Sequence, residues 1–188
     1  MKKTAIFAYL PIAVAVVLVL WGAASYNGLL KSDQAAKQQW AQVENQLQRR
    51  SDLIPNYVSV VKAYARHEKE LFEAITNART RLSGAQTPEE SMNASNELSG
   101  VLSRLLAITE NYPQLRSSEN FLRLQDELAG TENRLAVARR NYNLAVQDYN
   151  TRAKRFPTVL IIRVLPVPKE RPFFQVPQGA KQAPKVDM

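Results

Sequence analysis

Most catalytic and metal sites are built from histidine, cysteine and paired carboxylates, and this chain offers few of them in useful patterns. Its one histidine, His67, stands in Ala65-Arg-His-Glu-Lys-Glu70. A phosphoacceptor helix also places an acidic residue after its histidine, but no stretch here resembles an ATP-binding domain. His67 therefore reads as a helix-surface residue. A di-iron bundle needs Glu-x-x-His on two helices. Here Tyr64 stands three residues before the only histidine, so that site cannot be assembled. The HExxH zinc pattern fails for the same reason. With no cysteine in the chain, neither a disulfide framework nor a thiolate metal site is possible. GxSxG, the P-loop and the Gly-rich dinucleotide fingerprint are all missing. The expectation is a protein that is not an enzyme, with no cofactor and no metal.

What remains is the chemistry of charge and apolar surface. The formal charge of +8 over 188 residues is carried by the ends. Residues 1–31 hold Lys2, Lys3 and Lys31 with no acidic residue, and residues 151–188 hold eight basic residues against Glu170 and Asp187. Between them, fourteen basic residues are matched by fifteen acidic ones. A nucleic-acid binder carries its basic stripe on the folded domain, so that class is set aside. Five of the ten prolines fall between Pro166 and Pro184.

The element that must position the rest is an amphipathic helical hairpin from Gln34 to Leu82. Apolar residues recur at Ala36, Trp40, Val43 and Leu47, then at Ile54, Tyr57, Val61, Tyr64, Leu71, Ile75 and Leu82. Steps of three and four define one helical face. Ser51 and Asp52 are natural N-caps and Pro55 would fall in a first turn, so the spacing predicts two helices meeting at a tight turn near Ser51. A third helix is expected from Thr87 (N-cap) and Pro88 to about Asn111, with Met92, Leu98, Val101, Leu102, Leu105 and Ile108 inward. After Tyr112-Pro113, Ser117 or Ser118 caps a fourth. Its seam runs Phe121, Leu124, Leu128, Thr131, Leu135, Ala138, Tyr142, Ala145 and Tyr149 to about Lys154. Four helices with short loops predict an all-α, antiparallel up-and-down four-helix bundle.

Ahead of the bundle, Ala5–Ala24 is a run of about 20 mostly apolar residues, enough at 1.5 Å each to cross a hydrocarbon core of about 30 Å. Trp21 and Tyr26 would sit near the outer interface. Gly22-Ala23-Ala24 offers a competing reading as a cleaved secretory signal, for which the apolar run is long. A retained transmembrane anchor is the preferred reading. Lys2 and Lys3 place the N-terminus in the cytoplasm and the bundle on the periplasmic or outer face of a bacterial inner membrane. After Phe156-Pro157 come a short apolar segment, Val159–Leu165, and a Pro-rich tail expected to be extended or disordered. The domain plan is thus anchor 1–25, bundle 26–156 and tail 157–188.

Several stretches then resemble one family. They are YNGLL at 26–30, RRSDLIPN at 49–56, VKAYARHE at 61–68, TEN and YP across 109–113, GTENRLAVARRNYNLAVQDYN at 130–150, FP at 156–157 and RPFF at 171–174. In order and spacing they are similar to the LemA family over roughly residues 25 to 175. That resemblance implies an N-terminal membrane helix and a four-helix up-and-down bundle, and implies no enzymatic activity. A divergent branch of the family is tied to building magnetosome membranes, which suggests membrane organisation.

Three surfaces follow as candidates. In an up-and-down bundle, Arg49, Arg50, Asp52, Asn56, Asn111, Tyr112 and Pro113 would gather at the membrane-distal tip, as turn chemistry or as a dock for an envelope protein partner. Leu135, Ala138, Tyr142, Ala145 and Tyr149 on the long fourth helix are candidates for self-association into a homo-oligomer. Arg152, Lys154, Arg155 and Arg163 would lie near lipid headgroups, each cation contributing about 1 kcal/mol at an anionic surface. Trp40, Tyr57, Tyr64, Tyr142 and Tyr149 are expected on inner faces, as core packing or as the lining of a ligand pocket. The favoured function is an oligomeric scaffold that organises or shapes the membrane. The alternatives are an adaptor that docks a protease or signalling partner at its tip, and a ligand-sensing domain.

Overall fold

The computed structural model describes residues 2–175, with side chains from Leu10 onward, and every regular element among them is a helix. In chain order these are α1 (Lys2–Tyr64), α2 (Lys69–Gly84), α3 (Pro88–Thr109), α4 (Pro113–Arg116), α5 (Glu119–Lys154) and α6 (Thr158–Val164). Residues 176–188 of the Pro-rich tail lie outside the described residues. The chain packs as two compact bodies. One combines α1 up to Gln39 with Asn143–Arg171, and the other combines Trp40–Tyr142 with residues 172–175.

The expected turn near Ser51 does not exist. Instead α1 runs 63 residues without a break, and the reversal comes at Ala65–Glu68, which also takes His67 off the helix and into the turn. A proline inside a helix lacks the N–H that would reach the carbonyl four residues earlier and costs about 3 kcal/mol. For Pro55 that carbonyl is Ser51 O. The Nε of Arg79 on α2 donates to it at 3.1 Å. Ser51, a natural cap by residue type, is only 3% exposed, and Asp52 accepts a hydrogen bond from Gln48 Nε2 one turn back. The helix therefore continues because a neighbouring helix satisfies the group that proline orphans.

Other boundaries follow local chemistry. Thr87 Oγ1 accepts from the Glu90 N–H at 3.2 Å while Glu90 Oε2 accepts from the Thr87 N–H at 3.3 Å, a reciprocal cap with Pro88 at the first helical position. Glu119 opens α5 directly after Ser118, and the helix closes at Lys154 after 36 residues. In the larger body, α1 and α5 meet at Trp40 with Tyr142 and at Tyr57 with Phe121, ring centroids 5.1 and 5.4 Å apart. Those pairings run the two helices in opposite directions. Arg81 on α2 reaches Glu97 on α3 at 2.9 Å. The apolar stripe of α1 is buried at Val43, Leu47, Ile54, Tyr57, Val61 and Ala65, whereas Tyr64, expected inward, is 42% exposed. The stripe passes to Ala65 because the helix, entering the turn, carries the four-residue step from Val61 past Tyr64.

In the smaller body, Leu29 of α1, Tyr149 and Ala153 of α5 and Ile162 of α6 form one apolar cluster. The short segment 159–165 is thus mostly helical and docked. From Leu10 to Trp21, α1 is exposed around its whole circumference, and it is the one described helix long and apolar enough to cross a membrane.

The proline account is testable by a double-mutant cycle. Arg79→Met is expected to lower unfolding free energy by about 1–2 kcal/mol by leaving Ser51 O buried and unpaired. In a Pro55→Ala background, where the backbone N–H restored at that position can take the carbonyl, the same change is expected to cost less than half as much. Equal costs in urea melts of both backgrounds would sink the explanation.

Candidate functional site

The residues expected at a distal tip separate in the structure. Arg49, Arg50, Asp52 and Asn56 lie in mid-α1, with Arg50 fourteen residues, about 21 Å, short of Tyr64. Only Asn111 and Tyr112 reach a turn, where the Tyr112 hydroxyl donates to Glu68 Oε1 at 3.3 Å. The physical reason is the unbroken helix: without a turn at Ser51, that segment cannot face the turn after α3.

Arg50 instead belongs to a buried charge cluster. Its side chain is 8% exposed, its Nη1 donates to Ser99 Oγ at 2.9 Å and stands 2.7 Å from Glu132 Oε2. Arg139 approaches the other oxygen of Glu132 at 3.6 Å, and its Nη2 donates to Ser95 Oγ at 2.9 Å. Two guanidiniums thus share one carboxylate. Burial lowers the pKa of both arginines and Glu132 opposes that shift; Arg50 adds to it at Arg139. Beside them the Tyr57 hydroxyl is pushed up to about 12 by burial and finds no hydrogen-bond partner among the described residues. A cavity of about 380 Å³ adjoins Arg50, Tyr57, Leu102, Leu106, Leu128 and Glu132. A signal for Arg50 exists in the sequence: it occupies a core position of the stripe Val43, Leu47, Arg50, Ile54, Tyr57.

The tail provides a second constellation, which no pattern in the sequence located. Asn150, 5% exposed, donates through Nδ2 to Arg171 O at 3.0 Å and accepts from the Arg171 N–H at 2.8 Å. The Arg171 guanidinium donates twice to Asp33 Oδ1, at 2.8 and 2.6 Å, and lies over the Tyr149 ring. Tyr149 donates its hydroxyl to Pro168 O, and Lys154 pairs with Glu170 at 3.0 Å. Further along, Pro172 O accepts from the Tyr142 hydroxyl at 3.0 Å, and Phe174, 5% exposed, packs under Arg139. Residues 165–175 are therefore a docked strap without regular secondary structure, where the sequence predicts an extended or disordered tail. Extended Pro-rich backbone leaves its carbonyls open, and the buried tyrosines and Asn150 supply donors to them.

Asp33 is held below the ordinary carboxylate value of 3.8. Burial pulls the other way, but hydrogen bonds and charge from Lys37 and Arg171 outweigh it.

The remaining candidates divide by exposure. Leu135, Ala138, Tyr142 and Tyr149 are buried and Ala145 is half-buried. The stripe expected to serve self-association is thus covered by the chain itself. Arg152 is paired with Asp148 at 2.8 Å and Lys154 with Glu170, while Arg155 and Arg163 are exposed. No group of three His, Asp or Glu side chains among the described residues is placed to hold a metal ion.

Two outcomes are expected. Glu132→Gln strands two buried guanidiniums. Removing one partner of a fully buried pair costs roughly 3–5 kcal/mol, and with Glu132 43% exposed about 2 kcal/mol is expected in urea melts. Adding Arg50→Met to that variant should restore most of the loss. For the strap, a carboxylate whose pKa is depressed on folding contributes stability that is complete above its unfolded value and is lost as pH falls through the folded one. A dye on Lys169→Cys should therefore keep high anisotropy at neutral pH and lose it as pH drops below about 3.8. Asp33→Asn should loosen the strap already at pH 7; unchanged anisotropy there would rule out Arg171–Asp33 as its clasp.

Comparison with known proteins places these features. The LemA family profile matches residues 39–188, which takes in α2 to α6, the Arg50–Glu132–Arg139 cluster and the tail side of the second constellation, but not Asp33. Among curated relatives, the Magnetosome protein MamQ 2 of Paramagnetospirillum magneticum is 23% identical over 70% of this chain and 58% of its own length. MamQ of Magnetospirillum gryphiswaldense is 21% identical over 82% of this chain and 66% of its own. Protein LemA of Metamycoplasma hominis is 26% identical over 62% and 53%. The chain thus spans about three-fifths of the length of the curated relatives it matches. With the profile covering most of its residues, the chain belongs to the LemA family.

Proposed function

We propose that the chain is a single-pass protein of a bacterial inner membrane whose α1, α2, α3 and α5 form an antiparallel four-helix bundle. It acts as a non-enzymatic, homo-oligomeric scaffold that organises or shapes that membrane. The observation that carries this reading is the continuity of α1. One helix is exposed and apolar on all sides from Leu10 to Trp21, then becomes part of the helical core from Leu29 onward without a break. A helix of that kind carries the exposed apolar run into packed helix with no linker between them. Lys2 and Lys3 ahead of the apolar run favour a cytoplasmic N-terminus. Similarity to proteins named for the magnetosome supports a role in membrane organisation.

Because the α5 seam is buried, neighbouring copies would meet outer positions. Leu122 and Val137 are 48% and 59% exposed on α5 and are available for that contact. A second reading, the adaptor, is favoured by a groove of about 590 Å³ between the ends of α1 and α2. It is lined by Val58, Lys62, Arg66, Lys69, Phe72 and Glu73, and its cationic rim suits an acidic segment of an envelope partner.

The native mass of the full-length protein in mild detergent decides between them. A narrow population of several copies, reduced to one copy by Val137→Lys with Leu122→Lys, is expected. A monomeric wild type would overturn the scaffold. A stoichiometric partner lost on Lys62→Glu with Arg66→Glu would then establish the adaptor.

A further inference from the structure

We infer that Phe156 and α6 form a foot seated in the leaflet that the apolar run of α1 crosses, with Phe156 and Leu160 entering lipid and Arg155 and Arg163 meeting anionic headgroups. The inference rests on the anchoring proposed above and adds a second, independent membrane contact.

The argument begins with the two sides of α6. Thr158 and Ile162 are buried, Ile162 in the cluster with Leu29, Tyr149 and Ala153. At the alternate spacing, Leu160 is 51% exposed and Val164 is 84% exposed, and Phe156, four residues before Leu160, is 64% exposed. Leu160 and Val164, one turn apart, make an outward stripe on α6, and Phe156 stands exposed in the turn before it; a seven-residue helix has no reason to present such a surface to water.

Its level relative to the membrane is set by Trp21. The Phe156 ring meets the Trp21 ring edge-on, centroids 5.4 Å apart. Trp21 ends the stretch that is apolar and exposed on every side, and indole rings favour the boundary between hydrocarbon and headgroups. Ile162 then packs at Leu29, eight residues or about 12 Å further along α1, so the foot is tilted, with Phe156 deepest and Val164 shallowest. No charged residue of α1 intervenes between Trp21 and Lys31. On α6 and the turn before it, the charged residues are Arg155 and Arg163, both exposed and both cationic. An apolar stripe flanked by cations and continuous with a membrane helix matches an anionic leaflet; an interhelical contact with a second copy would not need the cations.

The absence of native cysteine permits a direct test in the full chain, reconstituted in phosphatidylcholine–phosphatidylglycerol vesicles. An environment-sensitive dye is placed on Leu160→Cys, and on Phe156→Cys as a second reporter. Leu18→Cys reports the anchor, and Thr80→Cys, exposed on α2, is the aqueous control. The dye at 156 and 160 is expected to shift to the blue and to be quenched by lipids carrying a shallow nitroxide, more at 156 than at 160. At 160 the quenching should fall at least twofold without phosphatidylglycerol, while that at 18 stays constant. Quenching at 18 with a response at 156 and 160 like that of the aqueous control would overturn the foot and leave the anchor standing. Shielding of 160 from aqueous iodide without lipid quenching would mean that a second copy covers it, which also overturns the proposal. No quenching at 18 would overturn the anchoring and the foot together.

Discussion

The backbone of α1 has to keep its hydrogen-bond ladder across Pro55, and most of the architecture depends on its doing so. A helix that stopped at Ser51 would put the first reversal of the chain fourteen residues early and leave Arg50 at a solvent-exposed corner. Donation from Arg79 to Ser51 O removes the main electrostatic reason for stopping there. The carbonyl is buried, so water cannot do the same work. One guanidinium from α2 therefore decides where α1 ends, and so where α2 can begin. The two helices are coupled by this polar contact as well as by the apolar face they share.

Charge is handled differently in the two bodies. In the larger one, Arg50, Arg139 and Glu132 form a cluster with one positive charge in excess, arranged around Ser95 and Ser99. Such a cluster contributes little net stability, since desolvation offsets the attraction, but it strongly disfavours any packing that leaves one member alone. Its effect is to select a single register of α1 against α3 and α5. In the smaller body, Arg171 meets Asp33 with two aligned donors while Asn150 holds its backbone on both sides. That arrangement satisfies a chain segment with no secondary structure of its own, and it turns a proline-rich stretch into a fixed strap.

The features proposed to meet the membrane all lie in the smaller body. The exposed apolar run of α1, the Trp21–Phe156 contact and the outward stripe of α6 all belong to it, as do the exposed Arg155 and Arg163. The larger body carries the buried polar cluster and the exposed Leu122 and Val137 of α5. The proposed scaffold would need both kinds of surface. Lipid contact demands apolar side chains beside cations, and contact between copies demands exposed apolar positions on a rigid helix.

Local physics made much of this protein legible in its sequence. About twenty apolar residues near the N-terminus, the Thr87–Glu90 cap with Pro88 between, and the 36-residue run of three- and four-residue steps after Ser118 each carry their own structural consequence. The bounds of the last two in the fold agree within a residue or two. Tertiary structure decided the rest. Ser-Asp followed by Pro is a sound local signal for a helix start, and it was overruled by Arg79, a residue 24 positions after Pro55 whose reach no local rule contains. Arg50 stands in a core register that favours burial only when Glu132 and Ser99 arrive from other helices. The strap depends on Asp33 meeting Arg171 across 138 positions of chain. Periodicity records which face of a segment is apolar; it holds no information about which distant polar group will satisfy a given carbonyl or charge, and those pairings exist only once the helices are packed.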